Sequence, residues 1–143
     1  FKIAPSSILV SRTRVPVSVG ADWRKRNHLS AQQVRGLADA VHNALVECCD
    51  VPQGDRFQLI SRFERDHLIL DPTFGDVQRT ADACVIEITF LSGRTDAQKR
   101  RLYRDLAARA VGIGLAQDDL VVGLVENGAI DWSLGNGRAY IDK

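Results

Sequence analysis

No apolar run in this 143-residue chain approaches the roughly 20 residues needed to cross a bilayer, so no membrane span is expected. Charge of one sign is equally scarce. The formal net charge is +1, too small to create a field that would attract nucleic acid or an anionic membrane. Residues 1–15 carry Lys2, Arg12 and Arg14 around the short Ile8-Leu9-Val10 run and do not read as a secretory signal. There are only three cysteines. Cys48 and Cys49 are adjacent at the end of an expected helix, where neighbouring side chains diverge, and Cys84 would be left over. All three read as reduced, small apolar residues of a cytoplasmic protein. Neither C-x-x-C nor H-x-x-x-H spacing occurs and the three histidines lie far apart, so neither a metal site nor a cofactor is expected. Gly112-x-Gly114 and Gly135-x-Gly137 lack the strand and helix that flank a nucleotide-binding loop and read as turns. No Ser-His-Asp arrangement can be argued.

What is present is ordinary in bulk and unusual in pattern. Hydrophobic residues make up 45% and charged residues 26%, which fits one globular domain. Within it the sequence repeats itself at about 65 residues. SAQQVRGLADAVHNAL from Ser30 matches TDAQKRRLYRDLAARAV from Thr95, with Ser30 on Thr95, Gln33 on Gln98, Arg35 on Arg100, Leu37 on Leu102 and Val41 on Leu106. Further on, Val51-Pro52-Gln53-Gly54-Asp55 matches Leu115-Ala116-Gln117-Asp118-Asp119, and each copy runs into an apolar stretch.

Each copy has a physical parse. Ser30 and Thr95 are expected N-caps, with Gln33 and Gln98 completing capping boxes. Val34, Leu37, Ala38, Val41, Leu45 and Cys48 recur at helical spacing, as do Leu102, Leu106, Ala110 and Ile113. Asp50 and Pro52 should stop the first helix, Gly112 and Gly114 the second. Strands follow at about 56–63 and 120–126, and another, 83–91, precedes the second helix with alternate residues on one face. The strand before the first helix is expected to include Val15–Val19. The connection 66–82 should form a turn or short hairpin, and a short strand in the tail could join a neighbouring sheet edge.

A unit of about 60 residues buries too little surface to stand comfortably alone. The expected fold is therefore α+β: two tandem β-α-β units sharing one four-stranded sheet, with both helices on one face. The boundaries are an N-terminal extension at about 1–14, units at about 15–65 and 82–127, and a tail at 128–143, all in one domain. Arg24-Lys25-Arg26 and the set Lys99, Arg100, Arg101, Arg104 and Arg109 are the basic clusters. The second reads as a solvated helix face; the first lies near the expected pocket mouth, where it could attract an anion.

VPQGDRFQLI (51–60), DPTFGDVQRT (71–80), SGRTDAQKRRLY (92–103) and LVENGAIDWSLGNGRAY (124–140) together resemble the tautomerase superfamily, in particular the branch around malonate semialdehyde decarboxylase. The resemblance spans about residues 29 to 140. It implies a homotrimer and chemistry at an N-terminal proline, whose amine is kept basic in an apolar pocket and shuttles protons on a small carboxylate substrate. It implies that Asp55 positions or activates water and that Arg94 holds the carboxylate. The decarboxylase has a further arginine where this chain has Ser92; Arg94 alone could still clamp a carboxylate through two bonds. Trp132 matches an aromatic residue lining the family's pocket.

The chain reads Phe1-Lys2-Ile3 at its start, and the proline expected at the head of the first strand is Pro16. An internal proline nitrogen is an amide, not a base. Three readings stand. The proline chemistry is absent and the protein is an inactive or repurposed member; or the α-amine of the true N-terminus, Phe1 or another residue, enters the pocket; or Val15 is an alternative start whose removal exposes Pro16.

Overall fold

The computed structural model describes residues 9–17, 29–64 and 66–142. It contains β1 (Leu9–Val17), α1 (Ala31–Cys49), β2 (Phe57–Glu64), β3 (Cys84–Leu91), α2 (Asp96–Gly112) and β4 (Leu120–Asn127), with short 3-10 turns at Gln117–Asp119, Ala129–Asp131 and Tyr140–Asp142. The strands form one sheet in the order β2-β1-β3-β4. β1 pairs parallel with β2 and β3 parallel with β4, each pair bridged by its helix; β1 and β3 join the halves antiparallel. This is the expected pair of β-α-β units in one sheet.

The helices start where the hydroxyl caps are. Ser30 Oγ accepts from the Gln33 N–H while Gln33 Oε1 accepts from the Ser30 N–H, both at 3.0 Å. Thr95 and Gln98 repeat the reciprocal pair at 3.1 and 2.9 Å. Each box satisfies two of the amides that a helix start leaves without partners. α2 ends in a Schellman turn: the Leu115 N–H donates to Ala110 O and the Gly114 N–H to Val111 O, with Gly114 at φ +87°. α1 ends on Asp50 at φ 56°, a conformation that aspartate tolerates better than most residues.

The periodicities resolve into one core. Cys84, Ile86, Ile88 and Phe90 alternate inward from β3 and meet Val34, Leu37, Val41, Leu45 and Cys48 of α1 and Leu102, Leu106 and Ala110 of α2. All three cysteines are free and buried. Burial pushes the Cys84 thiol up to about 12 and Cys49 to about 11. The other face of the sheet carries Phe57 and Leu59 of β2 and Val125 of β4, all exposed.

The structure refines three expectations. The first strand includes Val15–Val17 as expected but starts earlier, at Leu9, inside the expected N-terminal extension, because its pairing with β2 begins at Val10 and with β3 at Leu9; Ser18 and Val19 lie outside the described residues. The connection after β2 takes the turn alternative, with no hairpin among its described residues. Asp71 accepts from the Thr73 and Phe74 amides while the Arg79 guanidinium donates to Asp71 O and Phe74 O, so side chains close the loop in place of a strand ladder. Among its described residues the tail folds back and forms no strand: the Tyr140 N–H donates to Trp132 O at 2.8 Å.

Candidate active site at one edge of the sheet

Strand direction alone gathers the site. β1 and β2 begin at the same edge at which β3 and β4 end, because Leu9 is opposite Phe90, Val10 opposite both Phe57 and Thr89, and Leu91 opposite Asn127. Asp55 lies just ahead of β2, Arg94 just after β3 and Trp132 just after β4. Residues far apart in sequence therefore lie at the one end of the sheet where β1 begins.

Arg94 follows Gly93, whose φ of +122° lies where a side chain is strained. That turn points the arginine back under the sheet edge, leaving it only 9% exposed. Its Nε donates to Cys49 O at 3.2 Å and its Nη1 to Leu91 O at 2.8 Å, and the guanidinium lies 5.1 Å from the Phe90 ring centroid. A cation at the end of α1 also meets the negative end of the helix dipole. The buried Nη2 has no hydrogen-bond partner among the described residues. Two of the five guanidinium N–H groups, that on Nε and one on Nη1, thus go to backbone carbonyls, and a clamp formed by Arg94 would work through Nη2 and the second N–H of Nη1. Burial lowers the arginine's pKa, opposed by Cys49, Asp50, Asp55 and Glu126 in that order. A guanidinium stays charged at neutral pH all the same.

Asp55 is partly buried in a turn closed by its own N–H on Pro52 O at 2.9 Å. Trp132 is half-buried, and its Nε1 donates to Asn127 Oδ1 at 2.7 Å. The Asn127 carbonyl in turn accepts from the Ser92 N–H at 2.9 Å and from Ser92 Oγ at 3.1 Å. The end of β4 is thereby tied both to Trp132 and to the turn that carries Arg94. Lys99, in the first turn of α2, pairs with Glu126 at 2.7 Å beside this edge.

Pro16 is not brought to the group. It lies opposite Phe63 at the far end of β1, beyond Arg14–Val85, the last β1–β3 pair. A strand rises about 3.3 Å per residue, so Pro16 is on the order of 20 Å from the edge that holds Asp55 and Arg94. The α-amine of Phe1 and Arg24-Lys25-Arg26 lie outside the described residues. On α2 the solvated-face reading holds for Arg100, Arg101 and Arg104, which are exposed. Arg109 instead bridges Glu47 and Asp105.

A family model described as tautomerase enzyme matches residues 55–135, more than half of the chain. The chain belongs to the tautomerase family. A probable tautomerase of Bacillus subtilis (strain 168), YusQ, is 35% identical over 117 residues, covering 81% of this chain and 92% of the relative. A second from the same organism, YrdN, is 39% identical over 107 residues, covering 74% and 82%. Among solved structures, the FG41 malonate semialdehyde decarboxylase inhibited by 3-bromopropiolate superposes with a TM-score of 0.79 at 30% identity, over 93% of this chain and 95% of that one. A native fused 4-OT superposes with a TM-score of 0.69 at 19% identity, over 93% and 97%, which speaks to fold alone. This tautomerase-family chain therefore has the sheet and helices that its motifs implied.

Sequence reasoning missed Asn127 and its link to Trp132, because a contact between a strand end and a turn leaves no periodic trace; the Asn127-Gly128 turn signal was the available clue. It also missed what became of the second unit's counterpart of Asp55. Asp119 is buried and accepts from the Thr80 N–H at 2.7 Å and from Thr80 Oγ1 at 2.6 Å. The equivalent carboxylate is occupied by the chain itself. An open cavity of about 330 Å³ lined by Tyr103, Ala107, Gln117, Leu120 and Val122 lies at the start of β4, away from the Arg94 edge. Among the described residues no group of His, Cys, Asp and Glu gathers as a metal site, and no helix is long and apolar enough to cross a membrane.

Proposed function

We propose that the protein is a cofactor-free tautomerase, or a related decarboxylase or hydratase, acting on a small 2-keto or 3-oxo carboxylic acid. The observation that carries this reading is the buried Arg94, whose Nη2 has no partner among the described residues, at the edge where β1 begins and where Asp55 and Trp132 also lie. A buried guanidinium with N–H groups left over on Nη1 and Nη2 suits one carboxylate. The Trp132 ring would wall the apolar remainder of the substrate, and Asp55 would orient water where water is added.

The proton-transfer group in this reading is an α-amine at the head of β1. Its unperturbed pKa is about 7.7–8.0, and an apolar surrounding lowers it further, so a free amine at neutral pH could take a proton from an enol oxygen and return one to carbon. Arg94 would fix the acid so that the reacting carbon faces that amine, which is the positioning part of the rate enhancement. The similar decarboxylase structures, one described with decarboxylase and hydratase activities at 28% identity, support the same reaction classes here. We further propose a homotrimer, supported by the exposed apolar face of the sheet, with a single assembly mass in analytical ultracentrifugation as the check.

A second reading, an inactive or repurposed member, is favoured by one observation. Pro16 lies inside β1 with both neighbours in the strand, so its nitrogen there is an amide. Ketonisation of phenylenolpyruvate, measured together with the intact mass of the native protein, separates the two. Turnover far above the uncatalysed rate by a protein with a free amino terminus supports the enzyme, and a rate equal to buffer supports the silent member.

A further inference from the structure

We infer that Asn127 is a positioning residue whose side-chain carbonyl fixes the indole of Trp132 against the site; the inference rests on the reading above, in which Trp132 walls the substrate. An indole N–H can only donate, so the amide atom 2.7 Å away must be the oxygen, and the orientation of the Asn127 side chain is set by the same bond. The rest of the Trp132 backbone is held independently. The Asp131 carboxylate accepts from the Gly128 N–H at 2.8 Å to close the turn, and Trp132 O accepts from the Tyr140 N–H. The backbone thus fixes where the tryptophan starts, and the Asn127 bond fixes the rotation of its ring.

The main chain of Asn127 does a different job from its side chain. Its carbonyl latches Ser92, two residues ahead of Arg94. That latch survives any substitution at position 127 that keeps the strand. A side-chain variant therefore alters Trp132 while leaving the arginine's turn in place, which makes the two effects separable by experiment. Loss of one part-buried hydrogen bond corresponds to an effect of about two- to tenfold.

The test is a double-substitution cycle on phenylenolpyruvate ketonisation. Asn127→Leu should raise KM by about tenfold with kcat within about twofold, because ring orientation governs the shape of the wall. Asn127→Asp, which keeps an oxygen acceptor, should stay near wild type. In a Trp132→Phe background, which has no N–H to hold, Asn127→Leu should add nothing. An effect of Asn127→Leu that persists undiminished in that background, or wild-type kinetics for Asn127→Leu alone, overturns the proposal. A second readout is independent of turnover. In a Trp23→Phe background, which leaves Trp132 as the sole tryptophan, Asn127→Leu should shift the indole emission and Asn127→Asp should restore it. An unshifted emission overturns the positioning role even where no turnover is found, and absent turnover with a shifted emission sinks the catalytic reading alone.

Discussion

Gln33 and Gln98 hold the two helices together reciprocally. The Gln33 amide donates to Ile113 O at the end of α2, 3.3 Å away, and the Gln98 amide donates to Asp50 Oδ2 at the end of α1, also at 3.3 Å. Each glutamine closes the capping box of its own helix with its oxygen and reaches the partner helix's C-terminal end with its nitrogen. One side chain thus links local helix initiation to the packing of the two units. Replacing either glutamine by alanine should cost on the order of 1 kcal/mol, and the two losses should add, because the sites are at opposite ends of the helix pair. Urea unfolding midpoints of the two single variants and the double variant check this.

The turn that carries Arg94 depends on Gly93. At φ +122° an alanine has open space around its Cβ but a strained backbone, so Gly93→Ala should destabilise by about 1–3 kcal/mol. Relaxation of the strain would swing Arg94 off Cys49 O and Leu91 O, so KM should rise along with the loss in thermal midpoint. A destabilised variant with an unchanged KM would show that the arginine's position does not matter to binding.

The buried Asp119–Thr80 contact should be structural. Thr80→Val removes the 2.6 Å hydroxyl bond but keeps the amide bond, and the loss should be about 1.5–3 kcal/mol because the acceptor is a buried carboxylate. Turnover per folded molecule should not change. Chemical denaturation and specific activity of the same sample decide both points.

Alkaline pH should loosen the core through Cys84. Its folded pKa, about 12, lies above its ordinary value of 9.0. The folded state thus keeps a proton that the unfolded state gives up. The resulting stabilisation is full below about pH 9 and is lost as pH rises toward 12. Unfolding midpoints measured from pH 8 upward should fall, and less steeply in Cys84→Ala. Iodoacetamide at neutral pH should leave native Cys84 unmodified.

The repeat is legible in the sequence because its carriers are local. Hydroxyl caps, glutamines three residues on and apolar spacing act within one helix, so they locate both helices and three of the four strands. The first strand escapes this reading because Ser11 and Thr13 put polar side chains in its buried positions, which breaks the alternation that marks a strand. Arg94 stands out in its motif, but its two backbone carbonyl partners come from the ends of α1 and β3, and no spacing in the chain predicts that meeting. Asn127 is invisible for the same reason. The edge itself follows from strand direction, which the repeat implies once the two units are joined antiparallel.

The central claim is that a free amine works at the edge where Arg94 waits, and covalent labelling reads it directly. The protein is incubated with 3-bromopropiolate, the inhibitor of the similar decarboxylase, and the adduct is located by peptide mass spectrometry. A single adduct on the amino-terminal residue is expected, formed more slowly in Arg94→Ala. A native protein left unmodified, or labelled elsewhere with its terminal amine intact, would contradict the claim.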